Sequence, residues 1–160
     1  MNVIRVFFDT NVLVYAHDES SSFHAESATL LTFALEANDI QGVIAEQNLI
    51  ELYRILTNAT AMKGNPLTAL DASNLINSIY LNDLWDIIYP TRPRLNKTFE
   101  LAVDRNIMSA KIFDIRLASL VLDADIDYFA THNIKDFQSI NGIQSMTPRE
   151  ILVALANRNI

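Results

Sequence analysis

Cysteine is absent from the 160 residues of this sequence, and glycine, proline and histidine are scarce. Without thiols the chain can form neither a disulfide framework nor a thiolate zinc site. The three histidines, His17, His24 and His132, are too scattered to form a recognisable zinc pattern. Oxygen-bearing side chains are therefore the remaining candidates for metal ligands.

Long hydrophobic runs are also missing. Charged residues such as Arg5, Asp9 and Arg116 interrupt the apolar stretches well short of the roughly 20 residues that a membrane-spanning helix needs. The first residues lead directly into a strand-like segment and lack the basic and apolar regions of an export signal. We therefore expect a cytoplasmic protein that has no contact with a membrane.

Positive charge is in deficit, since 12 Lys and Arg residues face 19 Asp and Glu residues, for a net charge of −7. This balance argues against a protein that coats nucleic acid by bulk electrostatics. A local basic strip could still hold a phosphate backbone, although the same residues could form a solvated helix face. The candidates are Arg92, Arg94, Lys97, Arg105, Lys111 and Arg116.

Apolar segments of strand type alternate with segments of helical periodicity along the chain. Strands are predicted at 3–8, 42–45, 86–89 and 127–131, with a fifth at 143–146. Helices are predicted at about 20–37, 47–57, 67–82 and 95–106, and two more begin near 113 and 148. The alternation indicates one domain over residues 1–160, an α/β/α sandwich of three layers with a mostly parallel sheet.

Acidic residues stand at the places where such a sheet binds ligands, which are the carboxyl ends of its strands. Asp9 directly follows the first strand, although an isolated Asp there could simply cap the next helical turn. Glu51 lies in an apolar stretch of helix, where it needs a metal or a partner unless it is exposed or paired with Arg54. Asp114 opens a later helix on its inward side, where the alternative is again a helix cap.

The segment after the fourth strand carries further oxygen-bearing groups, beginning with Thr131. Asn133 and Asp136 are candidates for the last polar corner of a site. The alternative is an Asx turn in which Asp136 acts as a cap. We expect His132 to be a solvated loop residue and not a ligand.

Taken together, five segments resemble the PIN-domain family, especially the VapC-like toxin ribonucleases of toxin–antitoxin systems. They cover residues 8–15, 47–56, 113–118, 129–137 and 146–152. Each motif alone is weak, but their order and their positions relative to the strands are fairly specific. The resemblance implies a PIN-like sheet and a divalent metal bound by Asp9, Glu51 and Asp114. The family's fourth polar residue is often Asp; here it is Asn133, with Asp136 three residues on.

The resemblance thus implies a metal-dependent hydrolysis of RNA, for which Mg²⁺ or Mn²⁺ suits carboxylate ligands. Asp9 and Asp114 are the expected principal ligands, and Glu51 is a ligand or a base that positions water. The expected supporting residues are Thr10, Asn11, Thr131, Asn133 and Asp136, and the expected substrate-binding residues are Arg54 and Arg116. An antitoxin partner and a homodimer follow from the same resemblance. The alternative is a non-catalytic PIN-type scaffold that binds RNA or protein.

Overall fold

Five parallel strands form the centre of the computed structural model, which describes residues 2–158. Their order in the sheet is β3-β2-β1-β4-β5, and all four neighbouring pairs are parallel. The sequence prediction of a mostly parallel sheet is therefore confirmed. The strands are β1 (Ile4–Phe8), β2 (Ile40–Ala45), β3 (Trp85–Ile88), β4 (Tyr128–Ala130) and β5 (Ser145–Met146).

Helices cover both faces of the sheet. One face packs against α1, α2, α3, α4 and α8, and the other packs mainly against α5, α6 and α7. The predicted three layers are thereby confirmed. The bounds are α1 (Thr10–His17), α2 (His24–Glu36), α3 (Glu46–Leu56), α4 (Ala69–Ile79), α5 (Arg92–Asp104), α6 (Ile112–Val121), α7 (Ile134–Phe137) and α8 (Pro148–Arg158).

Two helical features differ from the sequence prediction. Helix α2 begins only at His24, because Ser20 and Ser21 bond to Asp18 and Phe23 in a preceding turn. Helix α7 was not predicted, since four residues are too few to show a helical period, and an Asx turn was only the alternative considered for Asp136. Among residues 2–158, no helix is both long and apolar enough to cross a bilayer.

Strand β1 feeds both cores because successive side chains of a strand point to opposite faces. Val6 and Phe8 enter the core under α1–α4, whereas Phe7 enters the core under α5 and α6. Phe7 stacks there on Phe129 of β4, with ring centroids 4.8 Å apart. Both halves of the sheet are therefore fixed to the strand that precedes Asp9.

The pairing of β2 with β3 depends on a glycine. Gly42 lies opposite Trp85, and a Cβ at this glycine would lie 2.6 Å from the indole ring. The absent side chain therefore makes room for Trp85, which packs edge-on against Phe8 at 5.3 Å.

The chain order of the sheet reverses at β1, since β2 and β3 lie on one side of it and β4 and β5 on the other. Parallel sheets open a crevice at the carboxyl ends of the strands at such a reversal. The segments that begin with Asp9 and Thr131 leave the sheet at this edge, side by side.

Candidate active site

Asp9 is held at the edge of the sheet by three hydrogen bonds. It is the N-cap of α1, and its Oδ1 accepts from the Thr10 N–H at 2.8 Å. Its Oδ2 accepts from the Thr131 hydroxyl at 2.8 Å and from the Asn11 amide at 3.2 Å. Asp9 is only 7% exposed. The capping role therefore does not account for the whole environment of this carboxylate.

Burial raises the pKa of Asp9 to about 6, although its hydrogen bonds with Thr131 and Thr10 act in the opposite direction. The negative charges of Glu51 and Asp114 raise the pKa further. Hydrogen bonds thus orient the Asp9 carboxylate, but the charged groups that shift its pKa are negative and do not compensate its charge. A cation beside Asp9 would supply this compensation and favour the ionised form.

Thr131 joins the segments that follow β1 and β4. It is fully buried, and its hydroxyl oxygen accepts from the Asn133 N–H at 3.0 Å and the Asn11 amide at 3.3 Å. The Asn11 Oδ1 in turn accepts from the His132 N–H at 3.1 Å. The network fixes the position of Asp9 through both segments.

Glu51 reaches the same edge of the sheet from α3. Its Oε2 accepts from the Thr10 hydroxyl at 2.7 Å, and its Oε1 accepts from the Gln47 amide at 2.7 Å. The alternative of an ion pair with Arg54 is wrong, because these neutral donors hold both carboxylate oxygens while Arg54 lies exposed on α3. Glu51 and Asp9 are therefore linked through consecutive hydrogen bonds at Thr10.

Two residues of the network, Gln47 and Asn48, were missed by the sequence analysis. Asn48 is fully buried; its amide donates to the Thr10 hydroxyl at 3.1 Å, and its Oδ1 accepts from the Ala45 N–H at 2.8 Å. Both residues lie one helical turn before Glu51. That i−4 and i−3 spacing is the signal that could have identified them.

Asp114 approaches the cluster from the first turn of α6. It is not the N-cap, because the helix begins at Ile112. Partial burial raises the pKa of Asp114, and the nearby charges of Asp136 and Glu51 raise it further. Asp9, Glu51 and Asp114 therefore lie within electrostatic reach of one another.

Asp136 and Asn133, the two candidates for the fourth polar position of the site, approach it in different ways. The carboxylate of Asp136, on α7, lies within electrostatic reach of Asp114. Asn133 contacts the network through its backbone N–H, which bonds to Thr131. Asp136 is therefore the better placed of the two side chains to supplement Asp114.

The donor set suits a hard cation, since it consists of carboxylate, hydroxyl and amide oxygens. Within residues 2–158, no three Asp, Glu or His side chains approach closely enough to form a ready three-ligand metal site. Mg²⁺ usually keeps several waters and takes only one or two carboxylates together with substrate phosphates. The residues present fit such a hydrated ion better than a closed cage.

Of the two arginines predicted to bind substrate, Arg116 lies in a cleft beside Glu51. Its Nη1 donates to the Gln47 Oε1 at 2.5 Å, and this cleft has a volume of about 360 Å³. The basic strip of six residues stays a prediction, but members other than Arg116 also have partners within the protein. Arg94 bonds to the Tyr89 carbonyl, and Arg105 bonds to Ser139.

The prediction that His132 is solvated is wrong. The ring is half-buried and lies 4.5 Å from the ring of Phe23 and 5.1 Å from that of Tyr15, measured between centroids. Its Nε2 lies 3.3 Å from the Ser27 hydroxyl, and burial lowers its pKa. His132 thus anchors the segment after β4 to α1 and α2.

Comparison with known proteins gives the family. A model described as the PIN domain matches residues 5–137, which include the acids, Thr131 and Asp136. The chain belongs to the PIN-domain family. Ribonuclease VapC24 of Mycobacterium tuberculosis is 31% identical to this PIN-domain chain over 129 residues, covering 81% of this chain and 86% of the relative.

Solved structures share the fold of this PIN domain. VapBC2 from Rickettsia felis, bound to a DNA fragment from its promoter, has a TM-score of 0.61 at 18% identity, covering 90% of this chain and 98% of that chain. VapC20 of Mycobacterium tuberculosis, described as a toxin that cleaves the sarcin-ricin loop, has a TM-score of 0.58 at 14% identity. It covers 78% of this chain and 86% of its own. At these identities the likeness establishes the fold alone.

Proposed function

We propose that this PIN-domain chain is an endoribonuclease that hydrolyses phosphodiester bonds in RNA with Mg²⁺ or Mn²⁺, as the toxin of a toxin–antitoxin pair. The observation that carries the proposal is that Thr10 donates hydrogen bonds to both Asp9 and Glu51 at the carboxyl edge of the sheet, while the charge of Asp114 lies close enough to raise the pKa of Asp9. The name of the 31% identical relative, a ribonuclease, supports the reaction. A solved toxin–antitoxin complex from Klebsiella pneumoniae, which shares the fold with a TM-score of 0.57, supports the partner.

In this mechanism Asp9 and Asp114 would hold the divalent cation. A bound cation would supply a water that is nucleophilic at neutral pH and compensation for charge on the phosphate. Thr131 keeps Asp9 oriented, and Thr10 with Gln47 keeps Glu51 oriented to bind the cation or to position water. Arg116 uses one N–H on Gln47 and retains further donors for the RNA.

The antitoxin, in this proposal, covers the acid cluster and presents an Arg to the carboxylates. The negative surroundings of Asp9 and Asp114 favour such a cation. The expected result is that the product of a neighbouring small gene copurifies with the chain and inhibits it. A homodimer is proposed on the family resemblance, and a measured solution mass of one 18.0 kDa chain would contradict it.

Cleavage of purified tRNA and rRNA tests the function. We expect cleavage with Mn²⁺, none with excess EDTA, and none with Asp9→Asn or Asp114→Asn, because each variant removes a proposed ligand. Asp104→Asn is the matched control, since Asp104 is an exposed carboxylate at the end of α5. Circular dichroism checks that every variant is folded.

Three outcomes would contradict parts of this proposal. Cleavage that survives EDTA would remove the metal dependence. Cleavage retained by Asp9→Asn or Asp114→Asn would remove the assigned ligands. RNA binding without cleavage by the wild-type chain under all metal conditions would favour the non-catalytic scaffold.

A further inference from the structure

The cleft beside Glu51 has two exposed apolar side chains on its walls. Ile50, on α3, is 65% exposed, and Phe113, on α6, is 59% exposed. They immediately precede Glu51 and Asp114 in the chain. The cleft therefore brings apolar surface next to Glu51, one of the three proposed catalytic acids.

The same cleft is polar where Gln47 and Arg116 meet. The Arg116 guanidinium is held by the Gln47 Oε1, and its remaining N–H groups are potential donors. Apolar walls with a hydrogen-bonding group between them suit an unpaired nucleobase. Proteins read single-stranded RNA by stacking bases on aromatic side chains and bonding to their edges.

Charge favours a base over a phosphate in this cleft. Glu46 and Glu51 line it together with the single cation of Arg116, and the whole chain carries a net charge of −7. A phosphate would meet a carboxylate excess, whereas a base is neutral. Base stacking on an aromatic ring contributes about 1–3 kcal/mol without any need for positive charge.

We propose that this cleft takes one unpaired nucleobase of the RNA, next to the phosphate that is cut, with the base stacked on Phe113. The inference rests on the proposed ribonuclease function and adds a binding subsite to it. Phe113 positions the substrate and takes no part in the chemical step. RNA affinity then depends strongly on this ring and comparatively weakly on salt.

The test compares two phenylalanines of similar exposure. Phe99, on α5, is 57% exposed and lines a separate surface pocket, so Phe99→Ala is the matched control for Phe113→Ala. Binding of single-stranded RNA is measured by fluorescence anisotropy in the Asp9→Asn background, so that the RNA stays intact. We expect Phe113→Ala to weaken binding about 5- to 150-fold, the range that 1–3 kcal/mol corresponds to, and Phe99→Ala to leave it unchanged.

Two further measurements separate stacking from a general structural effect. Phe113→Trp should retain tight binding, because it restores an aromatic face. A set of RNAs is also tested, each lacking one base at a different position. The RNA that lacks the stacked base should bind wild-type and Phe113→Ala chains equally. In cleavage assays with Asp9 intact, Phe113→Ala should raise KM far more than it lowers kcat.

Equal RNA binding by Phe113→Ala and Phe99→Ala would overturn the subsite, and the proposed ribonuclease would stand if the wild-type chain still cuts RNA. An unchanged RNA affinity together with weakened binding of an antitoxin peptide would assign Phe113 to a protein interface instead. If the wild-type chain neither binds nor cuts RNA, the subsite and the ribonuclease proposal both fail.

Discussion

The two sides of the acid cluster differ in how firmly the structure holds them. Asp9 is buried at the end of a central strand and accepts three hydrogen bonds, from Thr10, Asn11 and Thr131. Asp114 is half-buried in the first turn of α6, and the charged groups that raise its pKa are Asp136 and Glu51. Asp9 is therefore held at the end of a central strand, whereas Asp114 comes from a helix that packs on one face of the sheet.

The two sides therefore differ: the Asp9 carboxylate is already oriented, whereas the negative charge around Asp114 is only partly compensated. The Asp9 side is already oriented, so binding a cation there needs little rearrangement. On the Asp114 side, partial burial and the carboxylates of Asp136 and Glu51 raise the pKa of Asp114, and the positive charge of Lys111 only partly offsets them. We therefore expect substitutions around Asp9 to alter the geometry of the site and substitutions around Asp114 to alter its charge.

The largest expected effect on this comparison comes from Thr131→Val, which removes the buried hydroxyl that donates to Asp9. Loss of a side chain that hydrogen-bonds to a metal ligand lowers metal affinity or activity about 10- to 100-fold. We expect a rise of that size in the Mn²⁺ concentration needed for half-maximal RNA cleavage. Thr131→Ser retains a hydroxyl and should recover most of the loss. An unchanged Mn²⁺ requirement in Thr131→Val would show that Asp9 needs no such support.

The second effect is a pH dependence of stability in the metal-free chain. Because burial raises the Asp9 pKa from 3.8 to about 6, the folded state binds more protons than the unfolded state between these values. Stability from this group is therefore present below pH 3.8 and is lost as pH rises through 6. The full loss amounts to about 3 kcal/mol, since each pKa unit corresponds to about 1.4 kcal/mol.

Urea unfolding of wild-type and Asp9→Asn chains in EDTA measures this loss. The difference between their unfolding free energies should shift against the wild type from pH 4 to pH 7. His17, whose pKa burial lowers to about 4, has the opposite slope in this range but is present in both chains and cancels. Asp114→Asn should show a smaller shift, since Asp114 is less buried. A flat difference for Asp9→Asn would contradict the uncompensated burial of Asp9.

The smallest expected effect, a change in the Mn²⁺ requirement, distinguishes Asp136 from Asn133 as the fourth polar residue of the site. Asp136→Asn removes a charge near Asp114 and should raise the Mn²⁺ requirement by about tenfold. Asn133→Ala should leave it unchanged, because the backbone N–H of Asn133 makes the contact with Thr131. Titration of RNA cleavage with Mn²⁺ compares the variants. A larger effect of Asn133→Ala would reverse this assignment.

The Asp9 side of the acid cluster is also the side whose position in the fold the sequence predicted. Asp9 directly follows an apolar strand, and ligands of parallel sheets bind at the carboxyl ends of the strands. Thr131 stands at the corresponding end of β4, which pairs directly with β1. Short apolar runs of strand type therefore predicted the sheet and the position of these residues at its carboxyl edge.

Residues whose roles depend on contacts between helices were harder to predict. Arg54 and Arg116 both lie close in sequence to an acid, but only Arg116 bonds to Gln47 on another helix. The contact of His132 with Phe23 joins distant parts of the chain. Such contacts depend on how helices pack, and no local pattern of sequence encodes them.

The central claim is that Asp9 and Asp114, on unlike sides of the cluster, bind one cation together. Anomalous diffraction from crystals of the chain soaked in Mn²⁺ tests it most directly. The account predicts a manganese peak in direct contact with a carboxylate oxygen of each residue, at about 2.0–2.1 Å if Mn²⁺ follows the spacing of Mg²⁺. A saturating soak that places manganese elsewhere, or on only one of the two carboxylates, would contradict it.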